Sequence, residues 1–242
     1  TIAGYSDKML EDWSVCLMLA PREGAIYVNK TIESCYKAGW GDITVFAEPN
    51  SPPTPSSKRV QRPSKFGNWL NFKQSLTDMF NQNQNKKYYM LIEDDVVFAK
   101  NVRQFLDCVL WPENTGVCSV YCPSHYETFE RAGWNNHAGL TTWGAVTMIF
   151  SNESLQSFIS YYNNNTWHSD QMCDNAVGKW CMHTNKNAYF FSPTLAQHVG
   201  VKSSLSAKKY HSKRYSTLFV GEEFDCMMLL CGDGNDRFER DN

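Results

Sequence analysis

Three consecutive carboxylates, Glu93, Asp94 and Asp95, interrupt an apolar stretch of the chain. An apolar run of strand length, residues 88–92, precedes them, and the apolar triplet 96–98 follows. Adjacent acids repel one another and resist burial, so acids between two buried segments are best satisfied by a cation or by hydroxyl groups. We therefore predict a divalent metal site at the carboxyl end of a central strand, where open α/β sheets bind ligands. A strand followed by a solvated acidic turn is the alternative reading of the triplet.

Two aspartates and a histidine later in the chain could complete such a site. Asp170 and Asp174 stand four residues apart, which is the spacing that places two side chains on one face of a helix. His198 follows a predicted strand at 188–191. Oxygen ligands with an imidazole suit manganese or magnesium, so Asp95 and His198 are the predicted metal ligands. The alternatives are helix capping for Asp170 and a satisfied core position for His198.

Taken together, these side chains are the set that a nucleotide-sugar transferase needs. Its leaving group is a nucleoside diphosphate, and a divalent ion neutralises the charge that grows on the two phosphates. The acceptor hydroxyl is a poor nucleophile and needs a general base, a role that Asp170 or Asp174 can fill. Basic side chains, among them Arg22, Lys202 and Lys208, hold the diphosphate through charge-assisted hydrogen bonds. The predicted donor-binding residues are Ala20, Arg22, Glu48, Asn68, Glu93, Asp94 and Lys202.

The elements that must position these residues alternate between strand and helix. Apolar runs predict strands at 13–20 and 43–47, and helical spacing predicts a helix at 27–38 that ends at Gly39. This order forms a βαβ unit, so we expect an α/β fold with a central, mostly parallel sheet flanked by helices. Further predictions are helices at 67–79, 102–110 and 155–162, a helix carrying both aspartates, strands at 116–122, 143–150 and 188–191, and loops at 50–64 and 124–142.

Length and composition bound the organisation of the chain. The 242 residues suffice for one substantial core, and 42% hydrophobic residues indicate a globular protein. We predict one domain over residues 1–242, with a nucleotide-sugar half at 13–122, an acceptor and catalytic half at 123–225 and a tail at 226–242. No apolar run reaches the roughly 18 residues that a membrane span requires.

Net charge and cysteine content indicate which classes of partner and which cellular compartment the sequence favours. A formal charge of -2 argues against an obligate nucleic-acid binder, although basic clusters at 58–65 and 202–214 leave such binding open. The nine cysteines lack the paired spacing of a zinc site. Free buried thiols favour a cytoplasmic location, and a leader removed before Thr1 would instead indicate the Golgi lumen.

Four segments resemble those of a known enzyme family. The Glu93-Asp94-Asp95 triplet resembles the Asp-X-Asp-type motif of GT-A glycosyltransferases. The run Ser-Pro-Thr-Leu-Ala-Gln-His-Val-Gly at 192–200, followed by Ser-Ser-Leu at 203–205, is similar to a signature of the N-acetylglucosaminyltransferase IV family. Ser-Asp-Gln-Met-Cys-Asp at 169–174 resembles the paired-aspartate segment of that family, and Ala-Pro-Arg-Glu at 20–23 resembles its first nucleotide-contacting loop. Short bacterial and viral glycosyltransferase-like proteins share the pattern.

The resemblance implies a GT-A fold, an inverting mechanism, a UDP-sugar donor and a manganese ion. Carried over by position, Asp95 matches the metal-binding acid, His198 the late histidine, and Asp170 or Asp174 the base. The implied reaction transfers N-acetylglucosamine or another hexose to a hydroxyl acceptor such as a glycan. Two rivals remain: a transferase acting on a hydroxymethylpyrimidine base of viral DNA, and a non-catalytic carbohydrate- or nucleotide-binding module.

Overall fold

The computed structural model describes residues 12–22, 25–56, 58–109, 111–124, 132–137, 144–165, 172–200 and 214–231. These residues form an α/β fold with strands and helices in alternation along most of the chain. The strands are β1 Trp13–Leu19, β2 Ile43–Ala47, β3 Lys58–Gln61, β4 Tyr88–Glu93, β5 Val96–Phe98, β6 Thr115–Ser119, β7 Gly133–His137, β8 Thr147–Ser151, β9 Asn187–Ser192 and β10 Ala196–His198. The helices are α1 Ile26–Lys37, α2 Gly67–Gln82, α3 Val102–Cys108, α4 Asn152–Asn164, α5 Cys173–His183 and α6 Met228–Cys231.

Eight of these strands form one mixed sheet in the order β3-β2-β1-β4-β8-β6-β9-β7. Within the described residues, β1, β2, β3 and β4 pair in parallel, as do β6 and β9. Strand β8 runs antiparallel to both β4 and β6, and β7 runs antiparallel to β9. The first half of the chain therefore has the predicted parallel arrangement, and the second half is mixed.

Helices cover both faces of the sheet because its central strands are apolar on both sides. In β1, Val15, Leu17 and Leu19 face the core that includes α1 and α3, whereas Cys16 and Met18 face the core that includes α2, α4 and α5. Strand β4 alternates in the same way. Continuous apolar runs of this kind are typical of parallel strands buried between two helical layers, and the carboxyl ends of β1, β2 and β4 consequently meet at one edge of the sheet.

A second, two-stranded sheet brings the two ends of the site together. Strand β5 follows the acid triplet directly and pairs antiparallel with β10, so that Val96 lies opposite His198. Helix α1 supports β5 from its other side. The Thr31 hydroxyl donates to the Asp94 carbonyl oxygen at 3.0 Å and accepts from the Val96 N–H at 3.0 Å. Residues about a hundred positions apart in the chain are thereby fixed next to each other.

Several sequence predictions are wrong. The loop predicted at 50–64 contains β3, and the loop predicted at 124–142 contains β7; both are edge strands, which need no continuous apolar pattern. Of the tail predicted at 226–242, the structure describes residues 226–231, in which Cys226 is buried and α6 follows it. The predicted helix with the aspartates corresponds to α5, which begins at Cys173 with Met172 extended before it, so Asp174 lies in its first turn. Asp170 and residues 232–242 lie outside the described residues.

Candidate functional site

One cavity of about 380 Å³ opens at the carboxyl edge of β1, β2 and β4. It gathers nine residues that the sequence predicted for donor, metal or base from across the chain. These are Ala20, Arg22, Glu48, Asn68, Glu93, Asp94, Asp95, Asp174 and His198. The other two predicted site residues, Asp170 and Lys202, lie outside the described residues, as do Lys208 and the segment 203–205.

Glu93, Asp95 and His198 form a group that could hold a metal ion. Each offers one ligand atom, and these atoms lie within 4.8 Å of one another. The His198 Nε2 atom is 3.3 Å from the Asp95 Oδ2 atom. The predicted pair of Asp95 and His198 is thus adjacent, and Glu93, which the sequence analysis placed among the donor-binding residues, joins them.

The geometry around Asp95 fits a cation. Its Oδ1 atom is buried and accepts no hydrogen bond within the described part of the chain. A buried carboxylate oxygen without a partner is costly, and a divalent cation would satisfy it. Gly200 packs against the same carboxylate, because a Cβ atom built there would overlap the Asp95 Oδ2 atom. The Val199 N–H also donates to the Asp95 carbonyl oxygen at 2.8 Å, so the segment after β10 closes on this residue from two directions.

Arg22 bridges two of the acids. Its Nη2 atom lies 2.8 Å from Asp94 Oδ1 and 2.7 Å from Asp95 Oδ2. The second Asp94 oxygen accepts the Ala20 N–H at 3.0 Å. Asp94 therefore anchors the residues that follow β1, and its predicted role in binding the nucleotide sugar remains a prediction.

The pKa values of the acids separate because their surroundings differ. Burial, and then the charge of Asp95, raise the pKa of Asp94 to about 7, against the opposing effect of Arg22. Burial, and then the Asp95 charge, also raise the pKa of Glu93. For Asp95, burial acts upward, but the hydrogen bond and charge of His198, together with Arg22, outweigh it and lower the pKa. Asp95 is thus the acid of the triplet held most firmly as a carboxylate, which is the form that binds a metal.

His198 and Arg22 respond to the same acids. Burial acts to lower the pKa of His198, but the hydrogen bond and charge of Asp95 raise it. For Arg22, burial acts downward, and Asp94 and Asp95 raise the pKa. Metal binding at His198 requires the neutral imidazole, so a cation on Asp95 would displace the proton that Asp95 otherwise favours.

Asp174 lies in the first turn of α5 and lines the same cavity as the acid triplet. Its Oδ2 atom accepts the Gly144 N–H at 3.2 Å, and its Oδ1 atom accepts the Asn175 N–H at 2.9 Å. Gly144 has φ of 83°, a left-handed conformation that favours glycine. These backbone donors fix the carboxylate in place, as a general base requires.

The cavity also contains residues that sequence analysis did not select. Lys65 and Asn71 line its wall near β2, and Arg214 adds a positive charge. Met172 and Cys173 line it beside Asp174. Burial raises the pKa of the Cys173 thiol well above its usual value, so this thiol is protonated at neutral pH and is a poor nucleophile. Lys65 and Arg214 belong to the basic clusters at 58–65 and 202–214, but nothing in the sequence pattern tied either of them to the acids.

The comparisons leave the family open. The sequence matches no protein-family model and no curated protein. The resemblance to N-acetylglucosaminyltransferase IV therefore remains a prediction from the motifs.

Within the described residues, no helix has the length and apolar character needed to cross a membrane. All nine cysteines are free thiols, and seven of them are buried.

Proposed function

We propose that the protein is a metal-dependent glycosyltransferase of GT-A type that moves a sugar from a UDP-sugar to a hydroxyl acceptor. The sugar would be N-acetylglucosamine or another hexose, and the acceptor a glycan or a similar hydroxyl compound. One observation carries the proposal: Glu93, Asp95 and His198 meet in a cavity at the carboxyl edge of a parallel sheet, where α/β folds bind nucleotides. Oxygen ligands with one imidazole suit Mn²⁺ or Mg²⁺ better than zinc.

The residues of the cavity divide into three tasks. Glu93, Asp95 and His198 would hold the cation, which when bound neutralises the charge developing on the diphosphate. Arg22 and Arg214 line the same cavity and add positive charge for the phosphates. Glu48 and Asn68 lie toward β2, where they can bind the nucleoside.

The proposed transfer is a single displacement. Asp174 accepts the proton of the acceptor hydroxyl, and the acceptor oxygen forms a bond to the anomeric carbon. The bond between that carbon and the diphosphate oxygen breaks, and its electron pair leaves with the diphosphate. The sugar configuration inverts, because attack and departure take place on opposite faces. The protonated Cys173 thiol is consistent with a route that has no thiolate nucleophile.

The structure weighs against the DNA-modifying alternative at one of its two basic clusters. Lys58 pairs with Asp42 at 2.6 Å, and Arg59 donates to the Pro52 carbonyl oxygen at 2.6 Å. Arg62 is buried, so its charge is not presented to a phosphate backbone. The second cluster, at 202–214, lies outside the described residues except for Arg214.

A donor screen tests the proposed function. Release of the nucleoside diphosphate is measured over several nucleotide sugars, with Mn²⁺ and with a chelator. We expect release from a UDP-sugar that depends on Mn²⁺ and on an added hydroxyl acceptor. Calorimetry with UDP runs in parallel. Binding of UDP without turnover of any donor would instead support a non-catalytic module, and metal-independent release would contradict the role assigned to the cation.

A further inference from the structure

Arg62 follows the exposed edge strand β3, yet its side chain is buried against α2. Its three guanidinium nitrogens donate to three α2 side chains: Nε to Asn71 at 2.9 Å, Nη2 to Ser75 at 2.9 Å and Nη1 to Asp78 at 2.6 Å. The guanidinium also lies 4.6 Å from the centroid of the Phe46 ring. An arginine held by three hydrogen bonds and an aromatic face has one position, so it can orient its neighbours.

This contact fixes the direction of the Asn71 amide. Guanidinium nitrogens donate hydrogen bonds and never accept them, so the Asn71 atom that faces Arg62 must be its oxygen, Oδ1. The Ser75 hydroxyl donates to the same oxygen at 3.4 Å. A flipped amide would place N–H groups against N–H groups. Asn71 is also part of the cavity wall. Since its oxygen is taken by Arg62 and Ser75, its Nδ2 amine is the group left to donate to a ligand in the cavity.

Asn71 lies close to β2, because Arg62 contacts both Asn71 and the Phe46 ring of that strand. Glu48, directly after β2, is buried there and accepts the Phe66 N–H with both carboxylate oxygens, at 3.1 and 3.0 Å. Strands β2 and β4 lie on opposite sides of β1, which puts Glu48 roughly 10 Å from the acid triplet. A carboxylate repels phosphate but accepts from hydroxyl groups. The β2 end therefore suits the uncharged nucleoside, and the triplet end suits the diphosphate.

We propose that Asn71 donates a hydrogen bond to the nucleoside of the sugar-nucleotide substrate. Arg62 is the positioning residue that orients the Asn71 amide. This inference rests on the proposed function. It assigns Asn71 to recognition of the nucleoside, and it leaves metal and phosphate binding to the other end of the cavity.

The test replaces the Nδ2 amine of Asn71, which is the hydrogen-bond donor, without changing the shape of the side chain. In Asn71→Asp, one oxygen still accepts from Arg62, and the other presents an acceptor where the amine was. Asn81→Asp is the matched control, because Asn81 lies exposed on the same helix. Asn71→Ala removes the donor without adding charge. Calorimetry then compares UDP, inorganic pyrophosphate and Mn²⁺ as ligands of each variant.

We expect both Asn71 variants to bind UDP roughly ten- to a hundredfold more weakly, with pyrophosphate and Mn²⁺ affinities unchanged. The Asn81 control should bind all three like the parent protein. Arg62→Lys should lower the ratio of UDP affinity to pyrophosphate affinity, a change that general loss of folded protein would not produce. Unchanged UDP affinity in the Asn71 variants, or an equal loss for pyrophosphate, would overturn the inference. A parent protein that binds neither UDP nor pyrophosphate would overturn the proposed function itself.

Discussion

Gly200 determines how closely the segment after β10 approaches Asp95. Its φ lies outside the left-handed region, so an alanine there would not strain the backbone. The added Cβ atom would instead overlap the Asp95 carboxylate. A replacement of Gly200 therefore changes the geometry of the candidate metal site without introducing backbone strain at this position.

We predict that Gly200→Ala lowers the affinity for Mn²⁺ about tenfold or more while the protein remains folded. The displaced carboxylate can no longer share a cation with Glu93 and His198. Gly41→Ala is the control, because a Cβ atom there meets nothing within 4 Å. Electron paramagnetic resonance of free Mn²⁺ gives the affinity, and circular dichroism monitors folding. Parental affinity in Gly200→Ala would argue against a cation on Asp95.

Asp174 is the only member of the predicted aspartate pair within the described residues. We predict that Asp174→Asn lowers kcat about 10²- to 10⁴-fold, because the amide cannot take the acceptor proton. The KM for the nucleotide sugar should change little, since the proposal assigns Asp174 to the acceptor hydroxyl and not to the cation or the diphosphate. Steady-state kinetics over donor and acceptor concentrations provide the measurement. A normal kcat would transfer the role of base to another residue, with Asp170 the first to test.

Two side-chain hydroxyls of helix α1 form the hydrogen bonds to the β5 backbone that a neighbouring strand would otherwise form. Thr31 bonds both the Asp94 carbonyl and the Val96 N–H, and Ser34 similarly bonds the Phe98 carbonyl and N–H. Thr31 and Ser34 lie on one face of the helix, and each holds one residue of β5, Val96 or Phe98. The backbone of the acid triplet is therefore held by a buried hydroxyl.

We predict that Thr31→Val destabilises the protein by about 1–3 kcal/mol, because two buried backbone groups lose their partner. The change is nearly isosteric, so packing is retained. Thr77→Val is the control, since the Thr77 hydroxyl donates only to the Lys73 carbonyl oxygen of its own helix. Urea denaturation measures both variants. Equal stability of the two would show that the hydroxyl bridge contributes little.

Sequence patterns predicted the central elements and missed the edges, for a physical reason. Strands β1, β2 and β4 are buried on both faces and appear as apolar runs. Strands β3 and β7 form the two edges of the sheet, and β3 reads Lys-Arg-Val-Gln, a composition that protects an open edge. An edge strand has a neighbouring strand on one side only, and β3 and β7 are short. Their residues therefore leave too weak an apolar pattern for the strands to be predicted from the sequence.

The candidate site could be predicted only where motif and strand end coincide. Asp95 and His198 are the two predicted metal ligands, and the His198 Nε2 atom lies 3.3 Å from the Asp95 Oδ2 atom. The bridge from Arg22 to Asp94 joins residues more than 70 positions apart, and no local pattern encodes it. The same holds for Arg62, which charge alone assigned to a surface cluster and which packing places inside the protein.

We expect the proposed cation to stabilise the molecule as a whole when it binds. A ligand that binds only the folded state adds about 2.7 kcal/mol when present at a hundred times its Kd. We predict that Mn²⁺ raises the thermal midpoint of the parent protein in a concentration-dependent way. His198→Ala should reduce this increase, and Asp42→Asn, whose carboxylate is exposed and pairs with Lys58, should not. Equal increases in all three proteins would indicate that the cation binds elsewhere.

The most direct test of the account measures UDP release by Asp95→Asn in the presence of Mn²⁺, beside the parent protein and Asp42→Asn. The substitution keeps the size of the side chain and removes the charge that binds the cation. We predict that release falls at least about a hundredfold in Asp95→Asn and is unchanged in Asp42→Asn, with all three proteins folded. Turnover of a UDP-sugar by Asp95→Asn at the parental rate would contradict the central claim.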